Sequence, residues 1–162
     1  MDSTLTLVDA AATERLARAV APHLRPGDFL GLSGDLGAGK SLLARALIGA
    51  RLAALGRAEE VPSPSYTLVQ TYDLGPVELW HADLYRLRSA GEIVELGLAE
   101  AFERAITVVE WAERLGPLLP DRRLTIELGF VPGAPDARRA AVSATGPGWD
   151  WLPAVVSEAA VA

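Results

Sequence analysis

Residues Gly34-Asp35-Leu36-Gly37-Ala38-Gly39-Lys40-Ser41 bring three glycines, a lysine and a hydroxyl together within eight positions, at the spacing G-x-x-x-x-G-K-[ST]. Glycine opens backbone angles that a Cβ forbids, so successive N–H groups in such a loop can turn inward and cradle a phosphate. The N-terminus of the following helix adds to that field. Lys40 is the one lysine of a chain whose other basic residues are all arginine. A compact ammonium follows the β- and γ-phosphates inside a tight loop, where a broad planar guanidinium would not fit. The hydroxyl of Ser41 is placed to ligate Mg²⁺. The stretch therefore predicts a site for ATP or ADP built from Gly34, Asp35, Leu36, Gly37, Ala38, Gly39, Lys40, Ser41 and Leu42.

A site of this kind needs a second acid for the metal, at the end of a neighbouring parallel strand. Two apolar runs end in glutamate. "AITVVE" is continuously apolar, as a strand buried on both faces should be, and it places Glu110 at its carboxyl end. "LTIELGF" alternates, which puts Glu127 on the outer face of a half-exposed strand. Glu110 is therefore the predicted metal acid beside Ser41, reaching the ion directly or through a water.

Further chemistry lies between these two. In "HADLYR", His81 and Asp83 are two apart and share one face of a continuing strand, from which an acid can position a water if a hairpin folds over the loop. His81 reads equally well as a hydrogen-bonded staple. "SPSYT" offers the hydroxyls of Ser63, Ser65 and Thr67 in a proline-stiffened segment, as expected of a switch that senses the γ-phosphate through Mg²⁺. Lys40, Asp83 and Thr67 are the predicted catalytic residues. Trp111 directly follows Glu110, close to where a nucleotide would sit.

The elements that must hold these residues are legible in part. "TLTLV" alternates like a strand, and Asp9 is placed to cap a helix whose Leu16, Val20 and Leu24 recur every four residues until Pro26-Gly27. "DFLGLSG" reads as a short buried strand, and Ser41 to Leu55 as a helix closed by Gly56. "YTLVQTY" and "VELWHADLY" read as a hairpin joined by "DLGP". "SAGE" has the form of a capping box for a short helix that Gly97 stops, and Leu98 to Arg104 forms another. "RLTIELGF" and "RRAAVSAT" predict two strands separated by a loop, "VPGAPDA". The expected fold is α/β, a three-layer sandwich like those of phosphate-loop NTPases, with a mixed parallel and antiparallel central sheet. Residues 1–148 would form one domain, and 149–162 a loosely docked tail.

Composition bounds the remaining possibilities. With 162 residues and 50% hydrophobic content, the chain suits one domain with its own core. It has no cysteine, which excludes disulfides, cysteine-ligated metal and thiol chemistry. The N-terminus lacks the pattern of a signal peptide and no run of 18 apolar residues occurs, so a cytoplasmic protein without a membrane partner is expected. A net charge of -6 argues against this surface gripping nucleic acid by itself. The pairs Arg122-Arg123 and Arg138-Arg139 read as solvated faces.

Taken in order, "GDLGAGKS", "SPSYTLVQTY", "HADLYRL", "ELGL" and "VEWAERL" closely resemble the TsaE family, also called YjeE, and the resemblance runs from about Leu5 to Gly148. It implies a small bacterial ATPase that works with TsaB and TsaD in making the threonylcarbamoyl modification of the adenosine beside the tRNA anticodon. The tRNA would be met only indirectly, through those partners. By position, Lys40 and the loop amides would hold phosphates, Ser41 and Glu110 would bind Mg²⁺, and Asp83 would support hydrolysis. Two switch regions would fall on Ser63 to Tyr72 and His81 to Leu87, and residues around Asp9 to Thr13 would approach the adenine. The chain departs from the family at Ser65, where threonine is usual, and at Ala82, where phenylalanine is common. A small-molecule kinase and a non-catalytic nucleotide-dependent subunit are the alternatives; no arginine-rich lid lies between Ser41 and Glu110 to favour the kinase.

Overall fold

The computed structural model describes residues 1–162. The strands are β1 (Asp2–Leu7), β2 (Phe29–Ser33), β3 (Val69–Asp73), β4 (Glu78–Asp83), β5 (Ile106–Glu110), β6 (Arg123–Val131) and β7 (Ala134–Thr145). The helices are α1 (Ala10–Val20), α2 (Lys40–Ala54), α3 (Ala90–Glu95), α4 (Leu98–Arg104) and α5 (Leu152–Val161). Asp9 caps α1, its Oδ1 accepting from the Ala12 amide at 2.8 Å. All seven strands form one sheet in the order β1-β7-β6-β2-β5-β4-β3. β2 runs parallel to β5 and β6, and β4 parallel to β5, while the β1-β7, β6-β7 and β3-β4 pairs are antiparallel.

Alternation along the central strands explains the layers. On β2, Leu30 and Leu32 enter a large core shared with Leu16, Leu43, Leu47 and Leu52 of α1 and α2, whereas Phe29 faces the other way. There it joins Ile93 and Leu98 from α3 and α4, with Val109 of β5. Helices thus cover both faces of a mixed sheet, as the α/β reading predicts. No helix is long and apolar enough to cross a membrane.

Four expectations change. Residues 149–162 are a docked element: α5 contributes Leu152, Val155 and Val156 to the main core, beside Trp149. Its Leu152, Val155, Val156 and Ala159 follow helical spacing, a signal obscured by the prolines and tryptophans around it. The predicted loop at 131–137 shrinks to a turn at Pro132-Gly133. β7 already begins at Ala134, and Pro135 falls in an irregularity between Ala134 and Arg138 where the ladder asks nothing of its missing N–H. The capping box at Ser89 closes one residue early, with Glu92 accepting from the Arg88 amide at 2.8 Å. Finally, the β3-β4 hairpin does not fold over the glycine loop. It extends the sheet through β5, so Asp83 stands level with Glu110 in the ladder.

The docking of α5 can be measured. Leu152→Ala empties a fully buried site and is expected to cost about 2–4 kcal/mol, lowering Tm by roughly 5–15 °C in thermal unfolding. An unchanged Tm would return the segment to the status of a loose tail.

Candidate active site

The carboxyl ends of β2, β4 and β5 meet at one edge of the sheet, where open α/β sheets place their ligands. The glycine loop leaves β2 there and turns straight into α2. At Gly34, φ is +133°, and a Cβ would stand 2.3 Å from the Leu128 carbonyl oxygen, so no other residue fits. The amides of Gly37, Gly39, Lys40, Ser41 and Leu42 have no protein acceptor, and the first helical bond begins at Leu43, which donates to the Gly39 carbonyl. Five donors thus stand at a helix N-terminus, the arrangement that suits an anion.

Lys40 closes the loop from inside. Its Nζ donates to the carbonyls of Gly34 at 2.5 Å and Asp35 at 2.9 Å, and lies 4.1 Å from the centre of the Trp111 ring. Trp111 reaches this position because it adopts φ +58° directly after β5, in the left-handed region. Burial pushes the Lys40 ammonium below its ordinary pKa, and the carboxylates of Glu110, Glu113, Asp83 and Asp35 oppose that shift.

Glu110 is 1% exposed and held on both oxygens. Oε1 accepts from Ser41 Oγ at 2.6 Å, and Oε2 pairs with His81 Nε2 at 2.7 Å. The Nδ1 of His81 is buried without a partner, so the ring's proton belongs on Nε2, where it donates to the carboxylate. His81 is therefore the staple of the two readings, and what it staples is the candidate metal acid. A hydroxyl and a carboxylate in contact, beside unpaired amides, form an oxygen donor set of the kind Mg²⁺ takes when substrate and water complete its shell. These residues fit the ion. Glu127 is exposed on β6, away from this cleft.

Asp83 accepts from the Tyr85 amide at 3.0 Å and from Ser65 Oγ at 3.2 Å, and Ser65 is bonded in turn to Ser63 Oγ at 2.8 Å. Arg86 lies over the ring of Tyr66 at 4.6 Å, a second tie between the two candidate switch segments. Ser65 and Asp83 line the cavity of about 320 Å³ that also holds Lys40, Ser41 and Glu110. Thr67 does not join them. It is exposed, and its hydroxyl accepts from Gln70 Nε2 at 3.0 Å, because the turn at Ser65 to Thr67 aims it away from the cleft. Of the three hydroxyls in "SPSYT", Ser65 is the one at the site.

Asp9 and Thr13 line a second cavity, of about 490 Å³, whose shared wall with the first is Gly37, Gly39 and Leu42. Two cleft residues were missed by sequence reasoning. Arg45 sits one helical turn after Ser41, so i+4 spacing would have found it; Tyr85 packs against Trp111, the ring centres 5.0 Å apart and the planes tilted by 37°, and carried no comparable signal. The arginine pairs are only half solvated: Arg122 binds the buried Asp28 at 2.6 Å, and Arg138 reaches the glycine loop.

The sequence matches the family described as "Threonylcarbamoyl adenosine biosynthesis protein TsaE" over residues 7–135. The tRNA threonylcarbamoyladenosine biosynthesis protein TsaE of Rickettsia bellii is 37% identical over 131 residues, covering 81% of this chain and 89% of that relative. The protein of the same name from Bacillus subtilis is 37% identical over 120 residues, 74% of this chain and 72% of the relative. That from Synechocystis is 41% identical over 121 residues, 72% and 73% of the two chains. The crystal structure of Bacillus subtilis YdiB superposes with a TM-score of 0.73 at 28% identity, over 98% of this chain and 94% of that one. The resemblance carried by the five motifs is thereby borne out, and the chain belongs to the TsaE family of threonylcarbamoyladenosine biosynthesis proteins.

Proposed function

We propose that this chain binds ATP with Mg²⁺ and hydrolyses it, and that hydrolysis supports threonylcarbamoyl modification of tRNA in company with TsaB and TsaD. The observation that carries the reading is the convergence of five unpaired amides and the Lys40 ammonium on a cleft that contains the Ser41-Glu110 pair. Amides and ammonium would receive the β- and γ-phosphates, and Ser41 with Glu110 would hold the metal, which supplies charge neutralisation at the phosphates. The second cavity, beside Asp9 and Thr13, would take the adenine.

Asp83 would hold the switch residue Ser65 and orient the water that attacks the γ-phosphate; as a carboxylate at the cleft, it has both the position and the charge for that role. The TsaB and TsaD partnership is what the resemblance to the TsaE family implies, and the net charge of -6 suits a protein that leaves tRNA contact to its partners. No feature of the cleft favours a small-molecule acceptor, so the kinase reading has no support of its own.

The test is ATP turnover. Hydrolysis is expected to be slow for the chain alone and to rise when TsaB and TsaD are added. Asp83→Ala is expected to lose both the stimulated turnover and the support of tRNA modification, by roughly a hundredfold or more in rate. Turnover indifferent to the partners would count against the proposal. An Asp83→Ala protein that fails to hydrolyse yet still supports modification would point to a nucleotide-dependent interaction subunit.

A further inference from the structure

Behind the glycine loop, on the side away from the cleft, Arg138 rises from β7. Its Cα pairs with Phe130 on one side and Leu7 on the other, so two antiparallel neighbours fix its strand, and its guanidinium stacks over the Phe130 ring at 4.7 Å. From there Nε donates to the Ala38 carbonyl at 3.0 Å and Nη2 to the Gly37 carbonyl at 3.4 Å. Nη1 donates to the Pro135 and Ala137 carbonyls at 2.7 and 2.8 Å. The guanidinium fork thus spans the ladder irregularity of β7 and two successive carbonyls of the loop.

The consequence lies in the planarity of the peptide unit. Every peptide in the chain is trans, so the C=O of one residue and the N–H of the next point in opposite directions. Holding the Ala38 carbonyl outward on Arg138 therefore aims the Gly39 N–H inward, among the unpaired donors of the loop. Without that anchor the unit would turn more easily, because on its far side Gly39, at φ +110°, has no Cβ to resist rotation, and Gly37, at φ +82°, loosens the unit before it. The Ala38 amide is already fixed on the Asp35 carbonyl at 3.0 Å, which leaves the 38–39 unit as the one that Arg138 decides.

We infer that Arg138 is a positioning residue for phosphate recognition: by holding the Gly37 and Ala38 carbonyls from behind the loop, it keeps the loop in the shape that presents its amides to a phosphate. The role rests on the nucleotide reading above and adds to it a residue outside the glycine motif. It differs from a contact with the base or ribose, although Arg138 also borders the second cavity. A residue that acts through the loop affects any ligand with a diphosphate, with or without a nucleoside.

Arg138→Met tests this, read by displacement of a fluorescent ADP analogue with MgADP and with magnesium pyrophosphate. Affinity for both competitors is expected to fall together, by about tenfold, as charged hydrogen bonds that preorganise a binding loop are lost. In turnover assays KM for ATP is expected to rise by the same factor, with kcat changed far less. Arg122→Met serves as the stability control: it breaks the pair with Asp28 at the opposite end of the sheet and should lower Tm without altering either affinity. Loss for ADP with pyrophosphate unaffected would overturn the role in favour of a nucleoside contact. Unchanged affinities for both would overturn it outright, as would equal losses in Arg122→Met, which would mark a general effect of instability. Wild-type protein that binds neither ligand would bring down the nucleotide reading and this role together.

Discussion

Lys40→Ala is expected to lower affinity for ATP and ADP by at least roughly a hundredfold, with turnover falling below detection, as followed by calorimetry and phosphate release. The side chain is 5% exposed, and its ammonium is already stripped of much of its water. In the free protein its charge rests on two loop carbonyls and the face of Trp111, contacts that a phosphate can replace with little further desolvation. The fold should tolerate the change, because no element of the core depends on that side chain. Lys40→Arg is expected to rescue little. A guanidinium spreads its charge over a plane that cannot occupy a position 2.5 and 2.9 Å from two carbonyls of one loop without displacing it. An arginine variant with near-normal affinity would show that the loop is looser than these distances imply.

Glu110→Gln is expected to lose Mg²⁺-dependent turnover by roughly a hundredfold to a thousandfold, with a milder loss of nucleotide affinity. The amide is close in shape: its oxygen can still receive the Ser41 hydroxyl and its NH2 can donate to His81 Nε2 once the ring carries its proton on Nδ1, but it has no charge for a divalent ion. Glu110→Ala should be worse for a second reason. It leaves the His81 Nε2–H, in a fully buried ring, without its acceptor, a cost of about 1–3 kcal/mol that thermal unfolding would detect. Comparing the two variants separates the metal role from the structural one. A glutamine variant with normal Mg²⁺ dependence would move the metal role to Asp83, the neighbouring carboxylate across the β4-β5 pair.

What was legible in the sequence had local causes. The strand, glycine loop and helix from Phe29 to Ala54 follow from neighbouring residues whose backbone freedom and periodicity require no distant partner. Glu110 was also legible, because a strand covered on both faces must be apolar along its whole length and so marks its own end. Thr67 fails as a site residue for a reason equally local but too fine for pattern reading: one turn in "SPSYT" decides which hydroxyl faces Asp83, and the backbone selects Ser65. The departure from the usual threonine at Ser65 thus keeps a hydroxyl in contact with Asp83.

By itself, the sequence determined an α/β chain with a phosphate-type loop, a buried acid to accompany it and membership of the TsaE family. Only the tertiary structure decided that His81 staples Glu110 across 29 positions and that the 149–162 segment completes the core. It alone brought Arg138 to a loop 100 residues earlier. Those are contacts between residues far apart in the chain, brought together by the order of the strands and the packing of helices on them. A hydrogen bond across such a span leaves no periodicity to read, because its existence depends on which strands become neighbours.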